Sequence, residues 1–130
     1  MAVKEINFKE FKEKRDLLDP LLSQCLSPLE EKEGARYYWS EKDQYGFAIE
    51  DNGYLFSVFC LKRGNGKKLV SQAILKGAKT LDCLGEHLKN LYESAGFNLS
   101  FQAPWDDELA PKNWRYEKWG RPNYYEMTLS

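Results

Sequence analysis

Tyr92 stands one turn before the end of an amphipathic run, in the heptapeptide LYESAGF over 91–97. A phenol with an ordinary pKa of ~10 can donate its proton to a weaker base such as a thiolate, whose conjugate acid has a pKa of ~8.5, only if the local field assists. A tyrosine at helical spacing also packs well in a core, and spacing alone leaves both readings open. The second feature is KRGNGKK over 62–68, between an apolar strand-like run and a helical one. Glycines at such a junction let the backbone approach a ligand. The first N–H groups of the helix lack internal partners and can receive phosphate oxygens. Lys62, Arg63, Lys67 and Lys68 crowd the turn and would attract a polyanion. The alternative is a helix start among solvated lysines. A P-loop is excluded, because the glycine spacing differs and no Ser or Thr follows the lysine, and the dinucleotide fingerprint is incomplete.

A general base is harder to place. Asp82 alternates with Leu81 and Cys83 in a strand-like run, so it faces either a ligand slot or solvent. Glu50 and Asp51 sit at a hairpin turn, where acids are ordinary turn residues. His87 falls on the helix face opposite Leu88 and Leu91 and reads as solvated. Cys83 has no histidine near it in sequence to activate it, and reads as a packed thiol. Water is then an alternative carrier for the proton.

The elements that must hold these groups follow from periodicity. VKEINF, ARYYWSEK, YGFAIED and YLFSVFCL read as strands, with Asp51-Asn52-Gly53 as a hairpin turn. Between the first two strands, Phe8, Phe11, Leu18, Leu21, Leu22 and Cys25 recur at helical spacing, broken at Asp19-Pro20. Leu69, Val70, Ala73 and Ile74 form a helical stripe ended by Gly77, KTLDCL is a strand, and Leu88, Leu91, Tyr92 and Ala95 mark a helix ending at Gly96. FNLSFQA and YYEMTLS complete the strands.

These 130 residues read as one domain, with 19 basic against 20 acidic side chains. That balance leaves no basic surplus for strong nucleic-acid binding. The three cysteines are too widely spaced for a zinc site, and no apolar run approaches the ~20 residues of a membrane helix. The expectation is a soluble cytoplasmic protein with free thiols.

The stretch from DNGYLFSVFCLKRGNGKK to LYESAGF, with YYEMTLS more weakly, resembles the GCN5-related N-acetyltransferase (GNAT) superfamily. The resemblance implies an α+β fold: a twisted, mostly antiparallel sheet flanked by helices, in which strands four and five splay to admit acetyl-CoA. The family signature, Gln/Arg-x-x-Gly-x-Gly/Ala, cradles the CoA pyrophosphate. Placing Gly64 and Gly66 on its glycines puts Leu61 at the Gln/Arg position and keeps the helix stripe in phase. Placing Arg63 there puts Lys68 at the second glycine and shifts the stripe. On the first alignment Phe59, Leu61, Lys62, Arg63, Gly64, Asn65, Gly66, Lys67 and Lys68 are the implied cofactor-binding residues, with backbone of Phe59 and Leu61 along the pantetheine arm. LYESAGF looks like the family's Leu-Tyr-Glu-x-x-Gly-Phe helix ending, which implies that Tyr92 protonates the departing CoA thiolate. Gly85 stands where the family often has asparagine.

The last two strands are separated by APWDDELAPKNWRYEKWGRPN, a loop with several large aromatics. Loops of this length and composition are often binding elements. Trp105 and Trp114 could wall an acceptor pocket, with Asp106 and Asp107 drawing in a cationic amine; alternatively the tryptophans pin the loop and the acids stay solvated. Short phage-encoded acetyltransferase-like proteins have a similar Ala-Pro-x-x-Trp segment followed by Gly-x-Pro. The expected reaction is acetyl transfer from acetyl-CoA to an amine by direct attack, with Tyr92 as acid and Asp82 as the candidate base. The rival is an inactive GNAT-fold protein that docks onto a host protein through its aromatic loop. A homodimer through exposed aromatics is a further expectation.

Overall fold

The computed structural model describes residues 3–18, 31–62, 64–110 and 114–129. The helix break at Asp19-Pro20, the positions Leu21, Leu22 and Cys25, and Arg63 in the glycine loop lie outside the described residues.

Strand β1 (Lys4–Ile6) leads into helix α1 (Phe8–Arg15), whose first turn is closed by Asn7 accepting from the Glu10 N–H at 2.8 Å. Strands β2 (Arg36–Ser40), β3 (Tyr45–Ile49) and β4 (Leu55–Cys60) then run as an antiparallel meander. The turn between β3 and β4 is the one expected at Asp51-Asn52-Gly53. The Gly53 N–H reaches the Glu50 carbonyl at 2.9 Å, and Asn52 Oδ1 accepts from the Tyr54 N–H at 3.0 Å. Helix α2 (Gly66–Leu75), strand β5 (Thr80–Leu84), helix α3 (Glu86–Ser94), strand β6 (Phe97–Ala103), the short helix α4 (Tyr116–Trp119) and strand β7 (Tyr124–Leu129) complete the order.

The strands form two antiparallel sheets, β1-β2-β3-β4 and β5-β7-β6. Alternation along β2 and β3 separates two cores. On one face, Phe11 of α1 packs with Tyr37, Trp39, Phe56 and Phe59. On the other, Leu69, Val70 and Ala73 of α2 and Tyr92 of α3 pack with Phe47, Ile49, Phe97 and Met127. The predicted α2 stripe is what buries: Leu69, Val70 and Ala73 are at most 1 % exposed. Each large side chain so removed from water contributes ~1.5–3 kcal/mol.

One departure from the sequence reading lies inside β4. Gly46 faces Phe59 and Ala48 faces Phe56, so two steps on β3 oppose three on β4. The extra residue accommodates at Ser57, which sits at φ +51°. The strand read as continuous is therefore bulged. The bulge is held from outside the sheet, because Arg15 Nη1 on α1 donates to Ser57 Oγ at 2.9 Å and both residues are buried.

Candidate acyl-transfer site

β4 and β5 lie side by side and parallel, yet they meet only at their starts. Tyr54 and Thr80 form a single parallel bridge, and the N–H groups of Lys79 and Thr80 both reach the Gly53 carbonyl, at 2.8 and 3.2 Å. Beyond that point the strands belong to different sheets. A pair of neighbouring strands joined at one end leaves unpaired backbone groups facing the gap, ready for an extended ligand. The Leu61 N–H donates to the Gln44 carbonyl at 2.8 Å, and Phe59 is opposite Gly46 in the same ladder. Both are thus turned toward β3, and alternation presents the backbone of Val58 and Cys60 to the gap instead. The backbone lining expected from Phe59 and Leu61 is displaced by one residue. The Phe59 ring stacks on Trp39 at 6.0 Å, in the core on the α1 side.

At the far end of β4 the chain turns through Lys62, Gly64 and Asn65 into α2. Gly64 has φ +88° and faces open space, a conformation that costs other L-residues ~1–2 kcal/mol. Gly66 opens the helix, and a Cβ there would stand 3.1 Å from Leu91 Cδ2, so glycine permits the start of α2 to touch α3. Asn65, at the N-cap, makes no capping bond; its side chain instead donates to the Asp43 carbonyl at 2.8 Å. The first turn of α2 contains no acid and carries Lys67 and Lys68, with Lys68 3.6 Å from Asp43. An uncapped helix start with exposed lysines leaves its amides available to an anion, and it fits a pyrophosphate.

Tyr92 is 4 % exposed and packs edge-on against Phe97 at 5.8 Å. Burial first, then the nearby Cys83, Cys60 and Asp82, push its hydroxyl well above the ordinary phenol range. Cys60 closes β4 and Cys83 lies on β5, and both pack against the core cluster that contains Tyr92. Both thiols are half-buried. Burial raises Cys60, and burial with help from Asp82 pushes Cys83 up to about 12. That is the reverse of what an acyl-carrying nucleophile requires. His87 is exposed on α3, as its helical position implied.

Asp82 points away from the Tyr92 side of β5 and is exposed. It is not alone: its cross-strand partner on β7 is Glu126. Tyr54 donates to Asp82 at 3.0 Å, and the Tyr124 hydroxyl lies 2.7 Å from Glu126 and 3.1 Å from Asp82. Burial raises both phenols above their usual range, and the adjacent carboxylates reinforce the shift.

No family model matches the sequence, and no curated protein matches it. Solved structures do. A spermidine N-acetyltransferase mutant from Vibrio cholerae superposes with a TM-score of 0.65 at 14% identity, covering 99% of this chain and 94% of that one. A Salmonella typhimurium protein assigned as an acetyltransferase, solved with its cofactor acetyl-CoA, gives 0.58 at 14% identity over 100% of this chain and 94% of the other. N-acetylglutamate synthase from Neisseria gonorrhoeae, complexed with coenzyme A and N-acetyl-glutamate, gives 0.52 at 15% identity; 99% of this chain matches 35% of that longer one. The chain has the GNAT fold. As the fold implies, β4 and β5 diverge beyond Tyr54–Thr80, and the turn through Gly64 into Gly66 follows the end of β4.

The aromatic loop of this GNAT fold is built differently from the acceptor pocket drawn from its composition. Trp105 and Trp114 lie against each other with ring centres 4.8 Å apart, Trp119 adjoins Trp114 at 6.3 Å, and Tyr116 meets Trp105 edge-on at 6.0 Å. Asp106 caps a short 3-10 turn through the Glu108 N–H at 2.9 Å. Asp107 accepts from Trp105 Nε1 at 2.8 Å, from the Tyr116 hydroxyl at 2.8 Å and from Arg121 Nε at 3.2 Å. These bonds hold its carboxyl below the usual range. The four residues are brought together as a small aromatic core with its acids engaged. Sequence reasoning missed Ser57 and Arg15 at the bulge, and Tyr54, Tyr124 and Glu126 around Asp82. The alternating YYEM of the last strand was the available signal for the β7 residues, but it names no partner strand.

Proposed function

We propose that this chain transfers an acetyl group from acetyl-CoA to an amine. The observation that carries the reading is the opening between β4 and β5, closed at Tyr54–Thr80 and flanked at its far end by the uncapped start of α2. Amides at Gly64–Lys68 would hold the pyrophosphate, and the backbone of Val58 and Cys60 would meet the pantetheine arm. Bound acetyl-CoA supplies an activated acyl thioester. Burial keeps the Tyr92 hydroxyl protonated and makes it a weaker acid than a free phenol, so it would donate to the departing sulfur only because the thiolate formed there is desolvated and more basic as well. The amine loses its proton to Asp82 or to water before it attacks. Among the neighbours, acetyl-CoA and coenzyme A occur in the two structures named with them, and spermidine in the name of a third.

The test is isothermal titration of acetyl-CoA into the wild-type protein and into Gly64→Glu. Gly64 faces open space, so the new carboxylate meets no protein atom at its Cβ, and it opposes the phosphates. Binding at micromolar level that falls at least ~100-fold in the variant supports the reading; about 2.7 kcal/mol of lost charge-assisted contact suffices. No binding to a folded wild-type protein at ~1 mM, a level that would reveal even a −4 kcal/mol interaction, overturns it.

A second reading, a non-catalytic protein that docks through its loop, is favoured by Leu109, which is 81% exposed beside Tyr116 at 36%. Leu61 in the family's Gln/Arg position and Gly85 at the start of α3 also favour it. A cytoplasmic site of action and a viral origin belong to the proposal: the first rests on the thiols, the second on Ala110–Trp114 and Gly120–Pro122 alone.

A further inference from the structure

The turn between β2 and β3 touches the entrance to α2 at three points. Its own shape is fixed locally: the Gln44 N–H reaches the Ser40 carbonyl at 2.8 Å, Ser40 Oγ accepts from the Asp43 N–H at 3.2 Å, and Gln44 stands at φ +57°. Before the glycine loop, the Gln44 carbonyl accepts from the Leu61 N–H at 2.8 Å. Within the loop, the Asp43 carbonyl accepts from Asn65 Nδ2 at 2.8 Å, and after it the Asp43 carboxylate lies 3.6 Å from Lys68 Nζ. The middle contact is the unusual one. Asparagine is among the preferred N-cap residues, because its side-chain oxygen ordinarily takes an amide proton of the first turn. Asn65 stands at that position and makes no such bond. Its backbone, at φ −103° and ψ 7°, is outside the extended region that a capping residue normally occupies. The first intrahelical bond runs from the Leu69 N–H to the Asn65 carbonyl at 2.9 Å, so the N–H groups of Gly66, Lys67 and Lys68 precede the ladder.

We propose that Asn65 is a positioning residue for acetyl-CoA: its hydrogen bond to the β2–β3 turn diverts the side chain from capping α2 and so keeps the first amides of the helix open to the pyrophosphate. A capping side chain and a phosphate oxygen compete for the same N–H groups, and a cap has to be displaced before the anion can take its place. The tether removes that competitor. It also anchors the loop between Leu61 and Gly66 to the sheet, so the open amides are held in one place rather than on a free-swinging connection. The chain forgoes the stability that a cap contributes, and at this residue stability and affinity therefore run in opposite directions. The role of Asn65 rests on the transfer reading above, in which this helix start receives the pyrophosphate.

The test is acetyl-CoA titration beside urea unfolding of wild type, Asn65→Ala and Asn65→Ser. Both variants keep the charge of the loop unchanged, and both side chains are too short to reach the Asp43 carbonyl as asparagine does. Serine can cap the released helix start and alanine cannot. Acetyl-CoA affinity should fall in the order wild type, alanine, serine, with serine about 5-fold below alanine, the equilibrium cost of displacing one cap of ordinary strength. The urea midpoint of the serine variant should lie above that of alanine. Opposite rankings in binding and in unfolding are what a merely structural asparagine would not produce, since affinity would then follow stability. Serine binding as tightly as alanine, or either variant binding as tightly as wild type, overturns the role of Asn65 and leaves the transfer reading standing. A serine midpoint no higher than that of alanine overturns it as well, because the helix start would then have no cap from which to be diverted. A folded wild type that binds no acetyl-CoA at ~1 mM overturns both ideas together.

Discussion

Two places in this molecule set a carboxylate against tyrosine hydroxyls, and they differ in what else is present. In the loop after β6, Asp107 receives an indole N–H, a phenol and the guanidinium of Arg121, so its charge is answered from within the loop. On the sheet, Asp82 and Glu126 share two phenols and no cation among the described residues. The first arrangement is self-sufficient and organises its own segment. The second retains unmet electrostatic demand beside the closed end of the slot. A carboxylate beside a tyrosine is thus uninformative by residue type, and the presence of a cation separates an arrangement whose charge is answered from one whose charge is not.

The largest expected effect sharpens this contrast at the slot. Tyr92→Phe should lower kcat about 100-fold, the lower end of what a lost general acid costs, with acetyl-CoA affinity within ~2-fold. Trp105→Ala in the loop should leave kcat within the same ~2-fold of wild type. Steady-state kinetics with acetyl-CoA and an amine acceptor reads both, and a loop variant that matched the Tyr92 loss would break the division of labour.

Next in size is the bulge. Ser57→Ala removes the acceptor for Arg15 and keeps a side chain at positive φ, so it should cost ~1–2 kcal/mol in urea unfolding. Ser57→Gly loses the same hydrogen bond and relieves the backbone, and should recover ~1 kcal/mol of that. Equal costs would mean that the backbone at this point is unstrained.

The two carboxylate sites should respond to neutralisation with opposite signs. Asp82→Asn/Glu126→Gln removes a like-charge pair and should raise stability by ~0.5 kcal/mol. Asp107→Ala should lower the melting temperature and shift tryptophan emission to the red. A shift of the same sign in both would erase the distinction.

The smallest effect is with pH. The folded pKa of Asp107 is depressed, so its contribution is present above the unfolded value near ~3.9 and is lost as pH falls through the lower folded value. Tryptophan fluorescence should report loosening of the loop only in that acid window. Tyr92 has the opposite sign: its raised pKa contributes fully below ~10 and is lost as pH rises through the folded value.

Much of this was legible before the structure. The stripe Leu69, Val70, Ala73 and the ending at Gly96 are local patterns, and local patterns survive folding. The turn into α2 was legible for the same reason, because Gly64, Gly66 and the lysines are contiguous. What stayed hidden depends on register. Nothing in YLFSVFCL marks Ser57 as the residue that bulges, and that slip decides which backbone groups face the gap. Glu126 meets Asp82 only because β7 inserts between β5 and β6, a pairing absent from either strand's own sequence. For the tryptophan loop the sequence left two readings open, because composition counts aromatic rings without saying whether they face one another; the mutual contacts of Trp105, Trp114 and Trp119 match the one in which they pin the loop.

The two half-buried thiols packed against the cluster that contains Tyr92 would have a kinetic consequence under the proposed reaction. A sulfur nucleophile near an activated acyl group is a competing acceptor, and enzyme acylated on cysteine would be a dead end for an amine. Burial, with Asp82 nearby, pushes the Cys83 thiol up to about 12, and burial raises Cys60 as well, so neither is poised as a thiolate at neutral pH. If the chain transfers acetyl as proposed, the same dry surroundings that keep the tyrosine protonated would also suppress acylation of the thiols, and selectivity for nitrogen over sulfur would follow from the packing around them.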